Sequence, residues 1–147
     1  MTRFDYEQAR RNMIEQQIRT WDVLDARVLD LLSAVRREEF VPPAYRTLAF
    51  ADLELPLPNG FRMWTPKMEA RVLQELMVQS TDRVLEIGTG SGYLTALLAS
   101  QAGEVTSVEI DPAPPPMRAR SSRATGCRTY VSRSATARAA SAARPTK

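Results

Sequence analysis

The run VLEIGTGSGYLTALLA at residues 84–99 decides the fold. Together with Arg83, its opening VLEI is a short apolar stretch of the kind seen in a strand covered on both faces, and it stops at Gly88. Gly88, Gly90 and Gly92 alternate through the turn that follows, and SGYLTALLASQA then predicts a helix ending near Gly103. EVTSVEI at 104–110, rich in β-branched residues, predicts a second strand. Upstream, Thr65 and Pro66 fit an N-cap and a first helical position, and Met68, Val72, Leu76 and Met77 supply an apolar stripe up to Gln79. Helix, strand, glycine turn, helix, strand is the start of an α/β domain with a parallel sheet.

Residues without a Cβ at such a turn let the chain take positive φ and let a ligand approach the backbone. The helix beginning near Ser91 is expected to point free N–H groups into the same crevice. Strand and helix on either side are the context of a nucleotide-type site at the carboxyl edge of a sheet; the competing reading is a plain tight turn. Spacing selects the cofactor. A dinucleotide fingerprint reads GxGxxG, whereas this chain has GxGxG, with Glu86 two residues before the first glycine. A carboxylate there repels a pyrophosphate, which disfavours NAD, and suits a ligand with ammonium and sulfonium charges, such as S-adenosylmethionine. Glu109, 17 residues past Gly92, lies close to the offset of about 20 residues at which an acid hydrogen-bonds the ribose of an adenosine cofactor. The competing reading of Glu109 is a solvated carboxylate at a strand end.

Further upstream, Phe4, Met13, Ile14 and Ile18 fall on one face of a first amphipathic helix, with Arg11, Glu15 and Arg19 four apart as solvated pairs. Asp25 is placed as the N-cap of a second helix, in which Val28, Leu31, Leu32 and Val35 recur before the charged stop Arg36, Arg37, Glu38 and Glu39. FVPPAYRTLAFADLELPLPNG, with four prolines and a closing Asn-Gly, predicts a long irregular connection.

Composition bounds the rest. A chain of 147 residues, 44% hydrophobic and 25% charged, has the size and balance of one globular domain. It has no histidine and one cysteine, Cys127, which excludes an intramolecular disulfide, histidine triads and the usual zinc centres. The polar opening MTRFDYEQARRNM lacks an apolar signal core and no stretch is long and apolar enough to span a membrane, so the expected location is the cytoplasm. Residues 1–112 hold 12 Lys+Arg against 17 Asp+Glu, net −5, while 113–147 hold 8 Lys+Arg and no acid, net +8. Val131 is the only branched aliphatic in that tail, which is expected to be disordered.

Residues 84–99 resemble motif I of class I S-adenosylmethionine-dependent methyltransferases. REEFVP at 37–42, AFAD at 49–52 and LPLPNG at 55–60, in that order before motif I, resemble the protein-L-isoaspartate O-methyltransferase family over roughly residues 10–112. The resemblance implies an incomplete Rossmann-like fold with N-terminal helices: a substrate-side segment at 1–60, the start of a cofactor-binding domain at 61–112, and the basic tail at 113–147. It implies that Glu86, Gly88, Thr89, Gly90, Ser91, Gly92 and Tyr93 surround S-adenosylmethionine, with Glu109 on its ribose. It also implies methyl esterification of isoaspartyl carboxylates in damaged proteins, by a monomer with no metal. An isoaspartyl α-carboxylate is already ionised near neutral pH, so this chemistry needs no general base and depends on alignment in a dry pocket. Trp64 stands where the family usually has a serine near the methyl-transfer centre, so no catalytic residue is assigned.

Past Asp111 and Pro112 the resemblance stops, and the tail reads as GC-rich coding DNA translated out of frame. Shifted codons at Cys127, Tyr130, Ser132 and Ser134 restore an apolar alternation ending as a half-buried strand. The coding DNA downstream of codon 112 decides this reading. The competing readings are a catalytically inactive relic without cofactor binding, a nicotinamide oxidoreductase fragment, and a nucleic-acid-binding protein acting through the arginine-rich tail.

Overall fold

The computed structural model describes residues 4–109 and Arg133–Ser134. Helix α1 (Tyr6–Met13) starts at Asp5, whose carboxylate accepts the Gln8 N–H at 2.9 Å. It widens into a π turn at Ile14–Ile18 and tightens into a 3₁₀ turn at Arg19–Trp21. Met13, Ile14 and Ile18 are buried as the periodicity predicts, but Phe4 is exposed and only edges onto Tyr6 at 4.8 Å. Glu15 pairs with Arg19 at 3.1 Å, whereas Arg11 bonds to Gln8 rather than to Glu15.

Helix α2 (Ala26–Ala34) is capped by Asp25, which accepts the Arg27 N–H at 2.9 Å, and it buries Val28, Leu29 and Leu32. The predicted irregular connection contains 3₁₀ turns at Arg37–Glu39, Pro43–Leu48 and Pro58–Gly60. It also holds a small antiparallel hairpin, β1 (Leu55–Pro56) with β2 (Arg62–Met63), in which Leu55 faces Met63.

Helix α3 (Pro66–Leu76) corrects two expectations. Thr65 occupies the cap position, but its hydroxyl makes no cap bond and is buried without a partner. The buried face is Pro66, Glu69, Ala70 and Leu73, while Met68, Leu76 and Met77 of the expected stripe are exposed. The buried face carries Ala70 and Leu73 into the core and brings Glu69 to the buried Arg37, so its charge is buried with a partner rather than alone.

Strand β3 (Arg83–Ile87) pairs in parallel with β4 (Glu104–Glu109) in register Arg83↔Glu104 to Ile87↔Val108, and helix α4 (Tyr93–Gln101) makes the crossover between them. The expectation that β3 is covered on both faces fails among the described residues: Leu85 is 64% and Ile87 73% exposed. Glu86, on the opposite face, is buried and bonds to Thr95 of α4. Arg133–Ser134 (β5) pairs in parallel with Val108 and Glu109, giving the order β3-β4-β5. This strand falls at the end of the alternation that the shifted reading frame restores. The rest of the segment expected to be disordered, Cys127 included, lies outside the described residues. Among the described residues no helix is long and apolar enough to cross a membrane, and no group of three or more His, Cys, Asp or Glu could hold a metal ion.

Gly103 carries the turn from α4 into β4. A Cβ built on it stands 2.5 Å from the Ser80 carbonyl oxygen, and its N–H bonds to Asp82 O at 3.0 Å. Gly103→Ala therefore forces backbone apart and is expected to cost about 1–3 kcal/mol in a urea melt. A loss below about 0.5 kcal/mol in that melt shows that the turn relaxes freely.

Candidate functional site

Three glycines in the β3–α4 turn have left-handed backbones: Gly88 at φ 93°, Gly90 at 53° and Gly92, the cap of α4, at 80°. Such angles strain any residue with a Cβ, which is the local reason this sequence makes the turn. The turn is held from within. Gly88 N–H donates to Val108 O at 2.7 Å, Gly92 N–H to Thr89 O at 2.8 Å, and Tyr93 N–H to Ser91 Oγ at 3.2 Å. Gly90 N–H donates to Glu109 Oε2 at 2.9 Å. The expectation of free N–H groups aimed into the crevice therefore fails for these four, since the protein's own acceptors hold them.

A cavity of about 130 Å³ opens beside the turn. Glu86, Gly88, Thr89, Gly90 and Ser91 form one wall, and Arg62, Trp64 and Glu69 belong to the other. Glu86 is 8% exposed and accepts from the Thr95 and Ser107 hydroxyls through the same oxygen, Oε2. Because the Ser107 hydrogen goes to Glu86, Thr89 is the donor in the 2.6 Å bond between Thr89 and Ser107. Burial pushes the Glu86 carboxyl above its ordinary value, the two hydroxyls pull it back, and the Glu109 charge adds to the rise.

Of the residues singled out in the sequence, Glu86, Gly88, Thr89, Gly90 and Ser91 line this cavity, whereas Gly92, Glu109 and Tyr93 do not, and Tyr93 turns into the core. Its ring is fully buried, 5.4 Å from the Phe40 ring and 5.0 Å from the Arg37 guanidinium, and its hydroxyl is buried without a partner. Burial pushes the phenol up to about 12. The cause is helical geometry: Gly92 caps α4, and the first residue after it points its side chain into the core between the N-terminal segment and the sheet.

Arg37, read as part of a charged stop and as the start of REEFVP, is 1% exposed and lies at the junction of four segments. It forms an ion pair with Glu69, donates through Nε to Ala49 O at 2.7 Å and through Nη2 to Trp64 O at 2.6 Å, and lies over Tyr93. Burial lowers its pKa to about 10, still well above neutrality, so the cation persists. Its neighbour Glu38 is also engaged, accepting from the buried Arg10 at 2.7 and 2.9 Å. Charge patterning alone does not separate Arg37 from its neighbour Arg36; the motif REEFVP, which begins at Arg37, was the signal that could have found it. Ser107 did carry a signal: it is polar at an alternation position shared with the buried Val105 of a β-branched strand.

A parallel βαβ unit with a glycine turn and two carboxylates at its carboxyl edge is the beginning of an incomplete Rossmann-like α/β fold. The sequence model described as Protein-L-isoaspartate(D-aspartate) O-methyltransferase matches residues 8–123. The chain belongs to that family, and the match runs past residue 112, where the sequence resemblance was drawn to a close. Protein-L-isoaspartate O-methyltransferase 2 of Anaeromyxobacter sp. is 42% identical over 106 residues, covering 72% of this chain and 44% of the relative. The enzyme of Koribacter versatilis is 40% identical over 109 residues, covering 74% and 48% respectively. This chain thus spans about half the length of the curated relatives it matches. A crystal structure of a Plasmodium falciparum protein described as a protein-L-isoaspartate O-methyltransferase, in complex with S-adenosyl-L-homocysteine, superposes with a TM-score of 0.58 at 19% identity. It covers 74% of this chain and 50% of that one, and establishes likeness of fold.

Proposed function

We propose that this chain carries the methionine-side part of an S-adenosylmethionine site and that its function is methyl transfer to isoaspartyl carboxylates of proteins. The observation that carries the reading is the cavity between the glycine turn and the Arg62–Trp64–Glu69 wall. At Gly88 a Cβ would meet nothing within 4 Å, so the backbone there is open to a ligand. Glu86 supplies a negative charge suited to an ammonium group, and Gly88, Thr89, Gly90 and Ser91 enclose the same space. Gly92 sets the turn, and Glu109 would serve the ribose on leaving the Gly90 N–H. Bound there, S-adenosylmethionine supplies a methyl group on a sulfonium centre. Arg62 lines the cavity with no ion pair among the described residues and offers its cation to the acceptor carboxylate.

The fit is partial. At about 130 Å³ the cavity is smaller than the roughly 300–1,000 Å³ that encloses a whole cofactor-sized ligand, and Glu109 must first be released. Calorimetric titration with S-adenosylhomocysteine is therefore expected to give saturable binding weaker than about 1 μM. Arg62→Gln leaves that affinity unchanged and raises KM for an isoaspartyl peptide about tenfold, the loss of one charge-assisted contact. Absence of saturable binding at millimolar ligand sinks the cofactor reading. Cofactor binding without label reaching an isoaspartyl peptide sinks the acceptor assignment. A cytoplasmic monomer acting on protein substrates without nucleic acid completes the proposal, with residues 1–60 on the substrate side and 61–112 holding the cofactor.

A further inference from the structure

A cavity of about 490 Å³ lies at the amino edge of the sheet, far along β3 from the glycine turn. Leu31 and Ala34 of α2 and Val78, just beyond α3, form its apolar floor, and Gln101 closes it from the last turn of α4. The Gln101 Oε1 atom is buried and accepts no hydrogen bond. A buried acceptor left unpaired is destabilising until a donor arrives. Asp30, on the same wall, is exposed and enters no ion pair or hydrogen bond in the described structure. The last turns of α2 and α4 both border the space, so their carbonyl ends add partial negative charge. The one cation on the wall, Arg27, is already neutralised by Asp25 at 3.0 Å.

An apolar floor, an unpaired carboxylate, an orphaned amide oxygen and two helix carboxyl ends converge on one chemistry. We propose that this cavity is a second ligand site, separate from the methyl-transfer site, that takes a small primary alkylammonium ion: the alkyl chain on Leu31, Ala34 and Val78, the ammonium between Asp30 and Gln101. Its volume falls within the roughly 300–1,000 Å³ of small-molecule sites. The inference does not rest on the methyltransferase reading.

The full chain labelled with ¹⁵N and titrated with n-butylammonium chloride tests it. The side-chain amide of Gln101 and the backbone amide of Val78 shift saturably, with a dissociation constant on the order of 1 mM, as suits a ligand of about five heavy atoms. Gln101→Leu and Asp30→Asn each weaken binding about fivefold. Ala34→Trp, which fills the space from an exposed helix position, abolishes it. n-Butanol and sodium butyrate, matched in shape and different in charge, produce no saturable shift at the same concentrations. The proposal is overturned by a linear response to n-butylammonium, by equal binding of butyrate or butanol, or by a Gln101→Leu variant that binds as tightly as the parent. The Asp30→Asn arm decides the matter if Ala34→Trp does not fold.

Discussion

Arg37→Met is expected to lower the free energy of unfolding by about 3–5 kcal/mol, read from urea melts followed by circular dichroism. Three consequences add. Glu69, 3% exposed, is left as a buried charge without its partner. The Ala49 and Trp64 carbonyls lose their donors. Tyr93 loses the cation over its ring. Removing one member of a buried ion pair costs far more than removing both, so Arg37→Met with Glu69→Leu should recover most of the loss. That recovery separates an unpaired charge from a packing defect, since the double variant removes the charge and keeps the volume. Arg37→Lys should fall between, because an ammonium cannot reach Ala49, Glu69 and Trp64 together. A loss under about 1 kcal/mol for Arg37→Met places the pair with solvated surface bridges and removes its structural role.

The same cluster explains where the sequence was legible. Features set by neighbours in the chain came through: Asp25 capping α2, the three alternating glycines adopting positive φ, and the parallel βαβ order. These depend on local geometry, and spacing records local geometry. Features set by distant partners did not. Arg37 and Glu69 are 32 residues apart, and no local spacing records that they meet on the buried face of α3 while Met68 faces outward. The motif resemblance places Tyr93 with the cofactor, but one step along a helix rotates a side chain by about 100°, enough to carry it from the crevice to the core. The exposed Leu85 and Ile87 show the converse: the strand's apolar composition is real, yet no second layer covers that face among the described residues.

Glu86→Gln is expected to separate folding from binding. In the parent the carboxyl's pKa is raised above its ordinary 4.5, with burial the largest cause. A raised carboxyl means that the folded state holds a proton that the unfolded state has released, so stability falls as pH climbs from about 4.5 through the folded value. The slope cannot exceed about 1.4 kcal/mol per pH unit for one group. Glutamine keeps an oxygen for the Thr95 and Ser107 hydroxyls and carries no charge, so the variant lacks this dependence. At neutral pH Glu86→Gln should therefore melt at or above the parent, and acidification toward pH 4.5 should close the gap. Binding moves the other way. If Glu86 meets the ammonium group of the cofactor, the variant loses a charge-assisted contact of about 1.5–3 kcal/mol, or about 10–100-fold in affinity for S-adenosylhomocysteine. The two readouts are independent, and their opposition is the diagnostic. A variant that is less stable at neutral pH shows that the hydroxyl bonds outweigh burial. One that binds the nucleoside ligand unchanged shows that Glu86 is a structural carboxylate, anchoring Thr95 and Ser107 beneath the turn and taking no part in recognition.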